Sequence, residues 1–219
     1  MVASYKFNFE SKQQMKKMID LSSKDGVEYF TIIKKDYTLG KITKGEKGYC
    51  EPKSLIASDK ENIIGAFHTH PHDKDFFNYT EENEKPLELI AKMMNLTTEE
   101  KDKLRIDTQK NIVKASAGMS PIDVRFSVAY GLTLELIGTT DKEGKPIVLC
   151  YELYDDAKKR IQEEIKKLDK NMKEFCLPVF KKWLNDRETN NTLDDFQESL
   201  VTLLFYEWVI KEKSEIIFD

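Results

Sequence analysis

The stretch NIIGAFHTHPH, residues 62–72, decides how this chain is interpreted, because it holds all three of its histidines. The apolar run that opens the stretch is typical of a buried strand, and the proline near its end stops a strand from continuing. His68, His70 and His72 are therefore expected where a core strand gives way to a loop, a place where binding and catalytic sites are often built. Imidazole is the commonest metal ligand among side chains, so the sequence predicts a metal site here.

The overall composition narrows the class of protein. The 219 residues suit one large domain, or one domain with an extension. A formal charge of −4 without a basic block disfavours a nucleic-acid surface, and no apolar run reaches the roughly 18 residues that would span a membrane. The first residues lack the apolar stretch of a signal peptide, and the odd number of widely spaced cysteines contains no CxxC motif. We therefore expect a cytoplasmic protein with reduced cysteines.

The predicted elements alternate between helices and strands as far as about residue 153. Apolar spacing and β-branched content predict helices at residues 11–21 and from 120, and strands at residues 27–33, 38–43, 63–68, 132–138 and 147–153. The polar segment between the two halves of this pattern, with helices predicted at residues 86–94 and from 97, is interpreted as an insertion. In the last third, apolar residues recur at steps of three and four, which predicts helices. These helices are expected to pack on the sheet or on one another, with a partner or dimer surface as the alternative.

Two histidines and one aspartate have the pattern of a hydrolytic zinc site. Residues i and i+2 of an extended segment point to the same side, so His68 and His70 can bind one ion. Two imidazoles and one carboxylate leave a fourth position open for water. Asp123 is the matching carboxylate, because it lies at the start of a helix that Ser120 caps and Pro121 opens. The helix dipole favours an acid at this end.

Hydrolysis at such a site also requires a base and a group that stabilises the oxyanion. Glu28 is the best candidate for the base, because it stands among apolar residues in a predicted strand, and burying a charge needs a reason. Burial would also raise its pKa towards a value that suits proton transfer. Ser120 is placed to donate a hydrogen bond to the oxyanion of an attacked carbonyl. A carboxylate facing water and a plain helix cap remain the alternatives for these two residues.

The types and order of these residues resemble those of a known family. Residues 63–71, IIGAFHTHP, followed by residues 120–123, SPID, resemble the JAMM (MPN-domain) metalloproteases, whose motif is an early-strand glutamate, then H-x-H-P, then S-x-x-D. The resemblance implies that His68, His70 and Asp123 bind one zinc ion per chain. It also implies that Glu28 is the base and that Ser120 lies on the oxyanion side.

The resemblance covers roughly residues 8–153 and carries expectations about fold and activity. It implies a cytidine-deaminase-like α/β fold, a mixed sheet flanked by helices. Residues 1–153 would form the metalloprotease domain, with a helical insertion at about residues 73–117, and residues 154–219 a helical C-terminal extension. Family members cleave isopeptide bonds to ubiquitin or related small modifiers, or process peptide bonds and sulfur-carrier proteins. The resemblance therefore implies a zinc-dependent peptidase or isopeptidase that acts on a protein or peptide substrate, with conjugates of ubiquitin-like modifiers among the expected substrates.

One departure from the family pattern leaves the third ligand open. In the family, S-x-x-D follows H-x-H-P closely, whereas here the segment 73–117 intervenes. Glu81 stands near the usual spacing and is a rival ligand. Asp123 is preferred, because a serine cap, a proline and an apolar face surround it, whereas Glu81 lies in an acidic turn. Loops tolerate long insertions at a small entropic cost, so the insertion is compatible with a site formed by residues on either side of it.

The sequence is less consistent with other roles for the histidines. A histidine-triad nucleotide hydrolase needs apolar residues between its histidines, and Thr69 and Pro71 do not fit. An amidohydrolase or PHP-type barrel needs further histidines, which this chain lacks. The histidines could also be incidental surface residues, which is the expected state of His72. In another class, a metal-free MPN-like scaffold would bind partners through the C-terminal helices, although such scaffolds usually lose one or more of the site residues.

Overall fold

The computed structural model describes residues 6–46, 62–71, 84, 87–88, 91–92, 96–106, 118–141, 143–185, 195–216 and 218. These residues form a mixed α/β structure in which helices flank a six-stranded sheet. The helices are α1 (Phe9–Asp25), α2 (Pro121–Tyr130), α3 (Ala157–Lys167), α4 (Lys170–Asn185) and α5 (Asp195–Val209). The strands are β1 (Tyr29–Lys34), β2 (Thr43–Lys44), β3 (Ile63–Thr69), β4 (Leu134–Thr140), β5 (Pro146–Leu153) and β6 (Ile210–Ile216).

The sheet is mixed, with the order β2-β1-β3-β4-β5-β6. Strands β3 and β4 run parallel, and every other neighbouring pair is antiparallel. The predicted hairpin is confirmed as β4 and β5. The predicted histidine strand is confirmed as β3, which lies in the middle of the sheet with partners on both sides.

Each face of the sheet is covered by a different set of helices. Alternate residues of a strand point to opposite faces, and Leu134 and Leu136 of β4 pack with α1. Ile137 of the same strand packs instead with residues of α2, α3, α4 and α5. Among the described helices, none is both long and apolar enough to cross a membrane.

The C-terminal segment contains the helices α3, α4 and α5, as predicted, but it ends in a strand that the sequence analysis did not predict. Helix α5 ends at Val209, and β6 follows directly and pairs antiparallel with β5. Its sequence IKEKSEI is charged and alternates in burial, as an edge strand often does. Buried apolar residues of α3, α4 and α5 pack together around the fully buried side chains of Ile161, Trp183 and Phe205, whereas Met172 and Leu184 of α4 are exposed.

Three further boundaries differ from the sequence-based expectation. Helix α1 begins earlier than predicted, because Asn8 caps it by accepting a hydrogen bond from Ser11 N at 2.8 Å. The strand expected at residues 38–43 is reduced to β2, with an isolated bridge between Ile33 and Leu39. In the expected insertion, residues 98–106 are helical, and Thr97 and Glu100 form a reciprocal cap at the start of this helix. Most of the insertion lies outside the described residues.

Gly65 permits the close pairing of β3 with β4. A Cβ atom at this position would stand 2.1 Å from the carbonyl oxygen of Leu134. We expect Gly65→Ala to lower the free energy of unfolding by about 3 kcal/mol, because backbone atoms must move apart. Gly26→Ala is the control, since Gly26 has φ +66° but no neighbour within 4 Å of the added carbon; it should cost only about 1 kcal/mol. Equal losses in urea denaturation would contradict the close-packing account.

Candidate metal centre

The two histidines lie at the carboxyl end of β3, where the neighbouring strand fixes the backbone. His68 is in the strand, and its side chain is buried. His70 follows the strand, and its N–H donates to the carbonyl of Gly138 at 2.9 Å. The hydroxyl of Thr139 donates to the carbonyl of His70 at 3.1 Å. These bonds extend the pairing with β4, so the two rings point to the same side as the sequence predicted.

The predicted ligand atoms of three residues converge. His68 Nε2 lies 3.0 Å from His70 Nε2 and 3.3 Å from Asp123 Oδ1. One ligand atom from each residue falls within 4.8 Å of the other two. Two nitrogen ligands around a tetrahedral zinc, each about 2.0–2.1 Å from the ion, stand roughly 3.3–3.4 Å apart. The three residues can therefore hold a metal ion with little movement.

Asp123 is oriented by the helix that carries it. The predicted helix start is confirmed, with Ser120 as the N-cap and Pro121 in the first turn. The N–H of Ser120 donates to Asp123 Oδ2 at 2.7 Å, and the N–H of Asp123 donates to Ser120 Oγ at 3.3 Å. One carboxylate oxygen thus caps the helix while the other faces His68. The Ser120 hydroxyl accepts in this cap, which leaves its own hydrogen to be donated elsewhere.

Glu28 lies immediately before β1, one residue outside the strand in which it was predicted. Its carbonyl accepts from Gly45 N at 2.8 Å, and its N–H donates to the carbonyl of Glu46 at 3.2 Å. Burial raises the pKa of the Glu28 carboxyl; His68 acts to lower it and Asp123 to raise it. The Glu28 carboxyl therefore interacts electrostatically with two of the three candidate metal ligands.

Glu135 is a site residue that the sequence analysis missed. It lies in β4 with 1% of its surface exposed, and its Oε1 stands 3.0 Å from His68 Nδ1. Its other oxygen accepts a hydrogen bond from the hydroxyl of Ser127, in α2, at 2.8 Å. The signal was present, because a glutamate between the apolar residues Leu134 and Leu136 meets the same criterion that selected Glu28.

The electrostatics of the centre favour a bound cation. Burial disfavours the imidazolium of His68, yet Asp123, Glu135 and Glu28 together raise the pKa of this residue to about 9. Several carboxylates in a partly buried place are costly unless positive charge offsets them. A divalent metal ion bound by two imidazoles and a carboxylate would supply that positive charge. The types of ligand atom and the negative charge around them therefore both fit a metal ion.

Two residues with predicted roles lie outside the described residues. His72, which was expected to be exposed, and Glu81, the rival third ligand, both lie there. Among the described residues, the group that can hold an ion is the predicted one, His68, His70 and Asp123. The burial of His68 also excludes the interpretation of this residue as an incidental surface histidine.

A buried and a half-buried tyrosine connect the segment before α2 to the C-terminal segment. Tyr151 of β5 makes a hydrogen bond with the backbone of Met119, just before the cap residue Ser120. Its ring packs edge-on against Tyr206 of α5, with the centroids 6.3 Å apart. The segment that presents Asp123 therefore rests on residues from the last helix.

Comparison of the chain with models of known protein families, with curated proteins and with solved structures finds no match. Function is therefore inferred from the geometry of this centre.

Proposed function

We propose that this protein is a zinc-dependent peptidase or isopeptidase of the JAMM type, with a cytidine-deaminase-like fold. The convergence of His68, His70 and Asp123 on one point is the observation that carries the proposal, and the electrostatic interaction of Glu28 with His68 and Asp123 supports it. The order of the site residues along the chain and the mixed sheet that presents them support it. The substrate class is a protein or peptide, with a conjugate of a ubiquitin-like modifier as the family expectation.

The residues divide the chemistry among them. His68, His70 and Asp123 would hold the ion, which as a Lewis acid polarises a carbonyl group and lowers the pKa of water. Glu28 takes a proton from the attacking water and delivers it to the leaving amine, a task that suits a carboxylate whose pKa burial has raised. Ser120 donates its hydroxyl hydrogen to the developing oxyanion while its lone pair continues to cap α2.

A peptide library and a panel of lysine-linked ubiquitin-like conjugates test the activity. The zinc-loaded protein should cleave members of one or both sets, with the new termini read by mass spectrometry. A chelator should stop cleavage, and added zinc should restore it. If the zinc-loaded chain cleaves neither set, the peptidase proposal is overturned in favour of the scaffold class.

Zinc should stabilise the folded chain. A ligand that binds only the native state adds about 2.7 kcal/mol at a free concentration 100 times its Kd. For a chain of this size that corresponds to a rise of roughly 5–10 °C in Tm. Calorimetry of the metal-free protein with and without zinc measures the shift, and Asp123→Asn serves as the matched control. An equal shift in that variant would contradict the ligand assignment.

A further inference from the structure

The carboxylate of Glu135 is held between two donors at the floor of the metal centre. Its Oε1 lies 3.0 Å from His68 Nδ1, and its Oε2 accepts the hydroxyl hydrogen of Ser127 at 2.8 Å. All three residues are buried. A carboxylate enclosed in this way is strongly destabilising unless both oxygens are hydrogen-bonded, and here both are. Contacts with His68 of β3 and with Ser127 of α2 therefore fix the orientation of this carboxylate.

This contact decides which nitrogen of His68 is available to a metal. In its ionised form Glu135 can only accept a hydrogen bond, and its contact with His68 then requires a proton on Nδ1. A neutral imidazole has a single N–H, and its lone pair then lies on Nε2. That is the atom 3.0 Å from His70 Nε2 and 3.3 Å from Asp123 Oδ1. The hydrogen bond from Nδ1 to Glu135 and metal binding through Nε2 thus require the same tautomer of His68, the one with its proton on Nδ1.

The parallel pairing of β3 with β4 produces this arrangement. Glu135 is the register partner of Ala66, and His68 lies two residues further along the same strand and on the same face. Ser127 reaches the carboxylate from α2, the helix that also carries Asp123. One carboxylate therefore connects the strand that bears the histidines to the helix that bears the aspartate.

We propose that Glu135 is a positioning residue that, together with Ser127, holds His68 in the Nδ1–H tautomer and so selects Nε2 as its metal-binding atom. The inference rests on the proposed metal centre and adds two residues to it. A carboxylate behind a ligating imidazole also makes the ring a stronger donor. Removing such a partner typically weakens metal binding 10–100-fold.

Nuclear magnetic resonance of the wild-type protein tests the tautomer directly. The chain has three histidines, so ¹⁵N-histidine labelling gives few signals, and single His→Gln variants assign them. In protein loaded with ¹¹³Cd²⁺, we expect cadmium–nitrogen coupling to Nε2 of His68 and a proton on its Nδ1. Coupling to Nδ1 of His68 would overturn the role of Glu135 while leaving the metal centre intact. Absence of coupling to any histidine would overturn the centre and this inference together.

A graded pair of variants separates positioning from simple packing. Glu135→Gln keeps an acceptor for Nδ1–H and loses the charge, whereas Glu135→Leu keeps the bulk and loses the acceptor. Zinc affinity, measured by competition with a chromogenic chelator, should fall 10–100-fold in Glu135→Leu and less in Glu135→Gln. Glu143→Gln, an exposed change in the β4–β5 turn, should leave it unchanged. Wild-type affinity in a folded Glu135→Leu protein would contradict the proposal, and the resonance experiment decides the question should that variant not fold.

Discussion

Glu28→Gln is expected to abolish hydrolysis while leaving zinc bound. Glutamine keeps the shape of glutamate but cannot take a proton, and a positioned base typically contributes 10²–10⁴-fold to the rate. The metal should stay, because the three ligand residues do not include Glu28. Initial rates of cleavage and zinc content, measured on the same preparation, give the two readouts.

The matched control for this change is Glu46→Gln. Glu46 is exposed and contacts Glu28 through its backbone carbonyl, so its side chain can change without altering that contact. This variant should retain wild-type rate and wild-type zinc. A Glu28→Gln protein that still hydrolyses substrate would show that another group is the base, and a zinc-free one would make Glu28 part of the ligand set.

Truncation after Leu153 is expected to prevent folding, even though the resemblance to the metalloproteases ends there. The cut removes α3, α4, α5 and β6, and it exposes the buried residues Val124, Val128, Ile137 and Tyr151. It also removes the antiparallel partner of β5. Two of the uncovered residues lie in α2, the helix that presents Asp123, so zinc binding should be lost as well.

Urea denaturation followed by circular dichroism tests the truncation. The fragment 1–153 should show no cooperative transition. Co-expression with residues 154–219 as a separate chain is the control, and it should restore both the transition and zinc binding, because the same apolar surfaces meet again. Cooperative unfolding and stoichiometric zinc in the fragment alone would show that the C-terminal segment is an independent addition.

The features that the sequence predicted depend on short-range patterns. The strand that ends in His68 follows from one apolar run, and the capped start of α2 follows from Ser120, Pro121 and Asp123 within four positions. The convergence of His68 with His70 follows from strand geometry alone. These local signals are enough to name the candidate metal ligands.

The features that the sequence did not predict depend on long-range contacts. Glu135 contacts His68, which is 67 positions away in the sequence. No local sequence pattern predicts that contact. Strand β6 forms because β5 offers a free edge, although the apolar spacing of the preceding segment is helical. The apolar neighbours of Glu28 indicate its role, but its position just outside β1 is set by backbone hydrogen bonds with Gly45 and Glu46.

Metal content tests the central claim most directly. Elemental analysis of the purified wild type, beside Asp123→Ala and Glu81→Ala, compares the two candidates for the third ligand under the same conditions. We expect close to one zinc per chain in the wild type and in Glu81→Ala, and loss of zinc in Asp123→Ala. A wild type that binds no stoichiometric metal after zinc is added, or an Asp123→Ala protein that keeps its zinc, would contradict the centre described here.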